Sequence, residues 1–376
     1  MENAAVVKML KELVAIDSQS QNGNKKIIDL LEKVFAKYPC TKQSWERKDG
    51  VTGENLTVKV PGKNSEQQLV FVGHTDTVPT SSAWETDPFA LQEKDGKVFG
   101  LGTCDTKGGI ASLIQAVLTL SEKPNFDTYL LFDGDEESEE TGARKFLENN
   151  ALKNPHFIFI EPTDRQLHIA QRAIFKFDVT THGIATHGSF GVPERNKQEN
   201  AINKMSEVLD VLIQDAETLA KETHAYLPSN TQNLGVLHGG TARNVFADHA
   251  ILQVDRRLLP SIAVEKEIDR LQKLLAKIPG TTVTLDGIGP GFSLQENNPF
   301  VQKLLSFYQS IDTSAKLGAF QAWSEAGLFQ DSGDVVILGP GSLSQAHKAN
   351  EFVAIAEVEK FVEIYRKIIE EITFSL

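Results

Sequence analysis

The sequence predicts an α/β protein with a mixed, largely parallel sheet, interrupted by a smaller inserted α+β domain. Three observations predict it. Short apolar runs alternate with helical patterns through the first half, in QQLVFVGH, GGIASLIQAVLTL, TYLLFDGD, ARKFLENN and HFIFIEP. Such alternation builds sheets whose functional residues collect at strand ends. Around Arg172 the pattern changes to a period of two in AIFKFDVTTHG, and near residue 289 it changes back, with FSLQENNPFVQKLLSFYQSI reading as helix and VVILGPG as a buried strand.

In chain order, the first residues, MENAAVVKMLKELVAIDSQS, mix Lys8, Lys11 and Glu12 into an apolar pattern. This reads as an amphipathic helix rather than a signal peptide. The insert holds the strand from Arg172, a helix near 200–219, strands near 232–237 and 250–258, a charged helix near 264–277 and a closing strand, TTVTLDG. Two strand–helix–strand units side by side predict a ferredoxin-like α+β sandwich. The expected division is residues 1–171 and 289–376 for the main domain and 172–288 for the insert.

With 376 residues, 40% hydrophobic and 24% charged, the chain has enough apolar material for two cores. The net charge of -13 opposes binding to nucleic acid, which needs a basic footprint. No stretch approaches the 18 or so uncharged apolar residues of a membrane span. Only Cys40 and Cys104 are present, so a disulfide framework is not expected and the cytoplasm is the expected compartment.

Five segments carry candidate chemistry. In FVGHTDTVP a strand ends in His74 with Asp76 two residues on, so a carboxylate can brace an imidazole that binds a metal through its other nitrogen. An ordinary strand-ending histidine would look the same. In GLGTCDTKGG, glycines bracket Asp105 before a helix; it reads as a metal bridge or as a helix N-cap. Cys104 has no second cysteine nearby and reads as packing. In FDGDEESEE, Glu136 and Glu137 are adjacent after a strand, so one carboxylate can hold metal while its neighbour moves a proton. Glu139 and Glu140 read as solvated charges at a helix start. Glu161 ends the strand of HFIFIEPTD, and His347 follows a Gly-Pro-Gly turn in GPGSLSQAHKANEF. Two histidines and three carboxylates, one of them shared, suffice for two cations about 3.5–4 Å apart, and mixed His and carboxylate ligands suit zinc.

In order and over nearly the whole chain, GHTDTVP, GTCDTKGG, DEE, IEPT, ATHGS, GGTARNV and GPGSLSQAHKANEF resemble the zinc amidohydrolase and peptidase family that includes acetylornithine deacetylase, succinyl-diaminopimelate desuccinylase, aminoacylase and tripeptidase. Its acetylornithine deacetylase branch is the most similar. The resemblance implies that His74 and Glu161 hold one Zn2+, Glu137 and His347 a second, and that Asp105 bridges them. Co2+ or Mn2+ would be substitutes. It makes Glu136 the general base, Asp76 the partner of His74, and the peptide before Thr106 cis. Thr106 stands where many relatives carry Met or Asp, which bears on packing more than on chemistry.

The resemblance also implies that the insert is a lid that mediates a homodimer, with His187 steadying the oxyanion in its own or the neighbouring subunit. Asn244 and Arg257 become substrate contacts, Arg257 for a carboxylate, and Arg256 should face the other side of its strand. The implied reaction is hydrolysis of the amide bond of a small N-acyl amino acid, foremost deacetylation of N-acetylornithine in arginine biosynthesis. Desuccinylation of succinyl-diaminopimelate, or broader N-acyl amino acid and carboxypeptidase activity, would use the same apparatus. A metal-holding protein without turnover would not need Glu136 beside its ligands, and the order of motifs opposes a two-metal phosphohydrolase.

Overall fold

The computed structural model describes residues 2–149 and 152–373. The chain divides into two compact units, residues 1–169 with 294–376, and 170–293.

The first unit opens with α1 (Glu2–Val14), whose Val6, Leu10, Leu13 and Val14 are buried at helical spacing. Then come α2 (Lys25–Val34), an antiparallel hairpin of β1 (Cys40–Glu46) and β2 (Thr52–Val60), and β3 (Asn64–His74). The last seven residues of β3 are buried on both faces, as in a strand covered on each side. Next are β4 (Gln92–Lys94), β5 (Lys97–Phe99), α3 (Lys107–Leu118), β6 (Phe126–Asp133), α4 (Thr141–Asn149), β7 (Pro155–Phe159) and β8 (Gln166–Gln171).

After the second unit, the first resumes with α8 (Pro299–Ile311), β14 (Lys316–Phe320), β15 (Asp334–Ile337), β16 (Phe352–Ala354) and α9 (Ile355–Glu371). Pro299 occupies the first turn of α8, where its missing N–H costs nothing, and the Asn298 side chain caps the helix.

Among the described residues the large sheet runs β1-β2-β6-β3-β7-β15-β8-β13, with β14 on β8; β13 is Phe292–Ser293. Its centre is parallel, β6 with β3, β3 with β7, and β7 with β15. Both flanks are antiparallel. The sheet is mixed, as expected, but parallel only at its centre: the flanking hairpin CTKQSWE and TGENLTVKV is polar on one side, and its only alternation is Leu56, Val58 and Val60, without a continuous apolar run. The helix α3 lies close to the strand layer because Gly109 has no side chain; a Cβ there would stand 2.1 Å from Ile160 Cγ2.

The second unit holds β9 (Ala173–His182), α5 (Pro193–Glu199), α6 (Ala201–Leu219), β10 (Thr231–Gly239), β11 (His249–Leu258), α7 (Val264–Leu275) and β12 (Thr281–Gly289), with β13 at its end. Its four-stranded antiparallel sheet runs β10-β11-β9-β12. One face carries Phe175, Phe177, Val179, Leu252, Val254 and Leu258, which share a core with Met205, Val208, Leu212 and Leu271 of the helices. Each fully buried Val, Leu or Phe contributes about 1.5–3 kcal/mol. No helix among the described residues is long and apolar enough to cross a membrane.

Candidate metal centre

The parallel strands β6, β3 and β7 are neighbours, so their carboxyl ends lie side by side, where open α/β sheets place their sites. His74 ends β3, Glu161 stands two residues beyond β7, and Glu136 and Glu137 follow β6. The acidic pair follows β6 in a turn that begins at Asp135 with φ of 75°. Arg47 donates to Asp135 Oδ1 at 2.9 Å, and Thr141 N donates to Asp135 Oδ2 at 3.3 Å, which secures that turn.

Asp105 arrives on an irregular segment between β5 and α3. Gly102 takes φ of 78° there, a left-handed shape that favours glycine, and the Asp105–Thr106 peptide is cis. Asp105 does not cap α3; Thr106 is the cap position, and its hydroxyl donates to the His74 carbonyl at 2.9 Å. The Cys104 thiol is buried against the Ser342 carbonyl, as expected of a packing residue.

The two oxygens of Asp105 face different histidines: Oδ1 lies 3.1 Å from His74 Nε2 and Oδ2 lies 3.6 Å from His347 Nε2. Glu161 Oε1 is 3.7 Å from His74 Nε2, and Glu137 Oε2 is 2.9 Å from His347 Nε2. Donor atoms of His74, Asp105 and Glu137 all lie within 4.8 Å of one another. His74 is buried, whereas the His347 side chain is 57% exposed, so the site opens on the His347 side.

The tautomer of His74 follows from its neighbours. Nδ1 faces the Asp76 carbonyl at 3.1 Å and therefore carries the hydrogen, which leaves the Nε2 lone pair for a ligand. The Asp76 carboxylate is farther away, 3.7 Å from Nδ1. Its oxygens instead accept from the backbone N–H groups of Glu136 and Glu137, each at 3.2 Å. Asp76 thus ties the end of β3 to the acidic turn, a role its spacing from His74 did not reveal.

Four carboxylates converge here, and their electrostatics show what they lack. Burial above all, with the charges of Asp105 and Glu137 added against the pull of His74, pushes Glu161 up to about 8. Burial and the neighbouring Glu137 and Glu161 charges raise Glu136 well above the usual carboxylate range, against the pull of His74. The hydrogen bond to Glu137 raises His347 to about 9. Buried negative charge in this excess calls for bound cations. The donor set, two imidazoles with carboxylates and no thiolate, fits borderline divalent metals such as zinc.

Several buried groups received no role from the sequence. Asp133 and Glu325 face each other, and burial pushes both carboxyl groups up. Lys107 is fully buried with its ammonium on the Ile16 carbonyl at 3.1 Å. Asn24 spans the Glu54 carbonyl, the Thr75 hydroxyl and the Asp133 carbonyl. Glu351 is buried against the Asp105 segment. Asp133, Lys107 and Glu351 lie inside the quoted segments FDGDEESEE, GTCDTKGG and GPGSLSQAHKANEF, but nothing in their own residue type or spacing marks them as buried.

His187, Asn244 and Arg257 belong to the second unit. His187 is exposed; its Nδ1 accepts from Ser189 N at 3.2 Å, so the ring hydrogen sits on Nε2. Asn244 is exposed and its carbonyl accepts from Gly188 N, which brings it beside His187. The fork of Arg257 is already engaged by Asp255, at 2.8 and 3.1 Å. Arg256 faces the other side of β11, fully buried.

The sequence profile of Peptidase family M20/M25/M40 matches residues 70–371. A protein of Vibrio atlanticus (strain LGP32) named acetylornithine deacetylase is 30% identical over 394 residues, covering 100% of both chains. The crystal structure of aminopeptidase PepT from Bacillus cereus superposes with a TM-score of 0.78 at 21% identity, over 98% of each chain. The M20 family metallo-carboxypeptidase Sso-CP2 from Sulfolobus solfataricus does so with a TM-score of 0.77 at 17% identity, over 97% of this chain and 98% of that one. At those identities the two structures speak to the fold alone.

Proposed function

We propose a deacetylase reading for this chain, which belongs to the M20/M25/M40 peptidase family and is a metal-dependent amidohydrolase: it hydrolyses N-acetylornithine to ornithine and acetate, a step of arginine biosynthesis. The observation that carries the chemistry is the single carboxylate of Asp105 with a histidine on each oxygen and Glu136 beside it. The branch of the family rests on the full-length likeness to acetylornithine deacetylase.

In this reading His74 and Glu161 hold one Zn2+, Glu137 and His347 the other, and Asp105 both. When bound, the cations supply a water of lowered pKa and polarise the amide carbonyl. Glu136 is left free of metal by its neighbour Glu137. It accepts the proton of the attacking water and passes it to the leaving amine nitrogen. His187 offers an Nε2–H, the form needed to donate to the oxyanion of a tetrahedral intermediate. Arg257, held flat by Asp255, and Asn244 are the proposed contacts for the substrate's polar ends.

The second unit also supports a homodimer. β10 is an edge strand, and the exposed apolar side chains of Val236 and Leu237 stand on it, with exposed Ile202 on α6. A second copy would cover both the open edge and this apolar surface.

Amine release from N-acetylornithine, N-succinyl-diaminopimelate and a set of N-acetyl amino acids, with zinc-loaded and metal-free protein, tests the reading. Metal-dependent release with N-acetylornithine preferred is expected. Preference for the succinyl substrate would move the chain to the desuccinylase branch, and release from none would end the deacylase reading.

A further inference from the structure

We infer that Glu351 is a positioning residue for Asp105: its carboxylate gathers the backbone of the segment that aims Asp105 between the two histidines. The inference rests on the reading of Asp105 as the shared metal ligand.

The segment from Gly100 to Asp105 belongs to no helix or strand, so its buried N–H groups need partners from elsewhere. Glu351, 2% exposed, supplies most of them, while Leu101 N donates to the Pro88 carbonyl at 2.8 Å and Thr103 N to the Gly100 carbonyl at 3.2 Å. Its Oε1 accepts from Cys104 N at 2.7 Å and from Asp105 N at 3.0 Å, and its Oε2 accepts from Gly102 N at 2.8 Å. Its backbone carbonyl accepts from Gly100 N at 3.1 Å. Next to it, Phe352 pairs with Phe99, which fixes the register of the two segments.

The same stretch delivers His347 four residues earlier, so one short segment carries a proposed ligand and the clamp for the ligand opposite it. Only an acceptor with two oxygens and no hydrogens satisfies three converging N–H donors. Glutamine has nearly the same shape, but its NH2 would meet at least one of those N–H groups. Glu351→Gln therefore disturbs the clamp without opening a cavity. Asn350→Ala is the control, because Asn350 holds the N–H of Glu85, at 3.0 Å, and not the Asp105 segment.

The experiment is zinc affinity by competition with a chromophoric chelator, together with the visible spectrum of the Co2+-loaded protein, on the full chain and the variants Glu351→Gln, Glu351→Asp and Asn350→Ala. Outer partners of metal ligands are worth about 10- to 100-fold in affinity. The expected result is a loss of that size in Glu351→Gln, an altered Co2+ spectrum and a smaller loss in Glu351→Asp. Asn350→Ala should stay within about 2-fold of wild type. Turnover of Glu351→Gln should fall in kcat, with KM little changed, and recover with excess metal. Equal affinity in wild type and Glu351→Gln, or an equal loss in Asn350→Ala, would overturn the inference. Failure of the wild type to bind metal would instead overturn the reading on which it rests. Should Glu351→Gln not fold, an unaltered affinity in Glu351→Asp overturns the inference by itself.

Discussion

Each unit buries a cluster of charged side chains, and the two clusters differ in balance. In the second unit Arg256 sits at a core-facing position of β11 and over the Phe177 ring. Its Nη1 donates to Glu267 and its Nη2 to Asp215, both at 2.7 Å, and Arg270 binds the same two carboxylates. Gln232 accepts from its Nε at 2.8 Å. Two cations meet two anions, and each arginine binds both carboxylates. In the first unit Asp105, Glu136, Glu137 and Glu161 meet only two imidazoles. Buried charge alone does not mark a site: the balanced cluster is architecture, and the unbalanced one is a place for cations.

The comparison breaks most sharply at Glu136. Glu136→Gln should lower kcat about 10^3-fold, the scale of a lost general base, while metal content by elemental analysis stays at the wild-type level. Full activity would remove Glu136 from the mechanism.

The balanced cluster predicts the opposite pattern. Asp215→Asn leaves Arg256 buried with too little countercharge and should cost about 3 kcal/mol in denaturant unfolding, with kcat per folded molecule unchanged. A variant with wild-type stability but reduced kcat would show that this cluster, too, serves the reaction.

Metal removal should expose the imbalance as a pH dependence. In metal-free protein the Glu161 pKa stands raised, from 4.5 to about 8, so between those values the folded state holds a proton that the unfolded state has lost. Stability therefore falls as pH rises through that window. Thermal unfolding with and without zinc checks it: the slope should flatten when the metals are restored, and an equal slope in both forms would contradict the assignment.

The smallest effect belongs to Arg270, whose side chain is 40% exposed. Water can replace much of what it gives, so Arg270→Met should cost about 1 kcal/mol in the same denaturant assay, well below Asp215→Asn. Equal costs would mean that Arg270 and Asp215 are a single inseparable network.

Three of the proposed ligands were legible because each is a His, Asp or Glu directly following a strong strand or glycine signal: His74 after FVG, Glu161 after FIFI, Asp105 among glycines. The helices of the second unit were legible for a similar reason, since periodicity is a local property. The β1–β2 hairpin was not, because an antiparallel flank half open to water carries no apolar run. Nor was Glu351. Its three partners lie about 250 residues away in sequence, and nothing in NEF distinguishes a buried clamp from a solvated glutamate.

The sequence by itself determined which side chains could act and where strands would deliver them, because residue type and local periodicity are written within a few positions of each ligand. Tertiary structure alone decided which oxygen of Asp105 faces which histidine, that Asp76 ties β3 to the acidic turn, and that Glu351 clamps the Asp105 segment. Those are distances between segments far apart in the chain, and they exist only once the sheet has set its strand order and register.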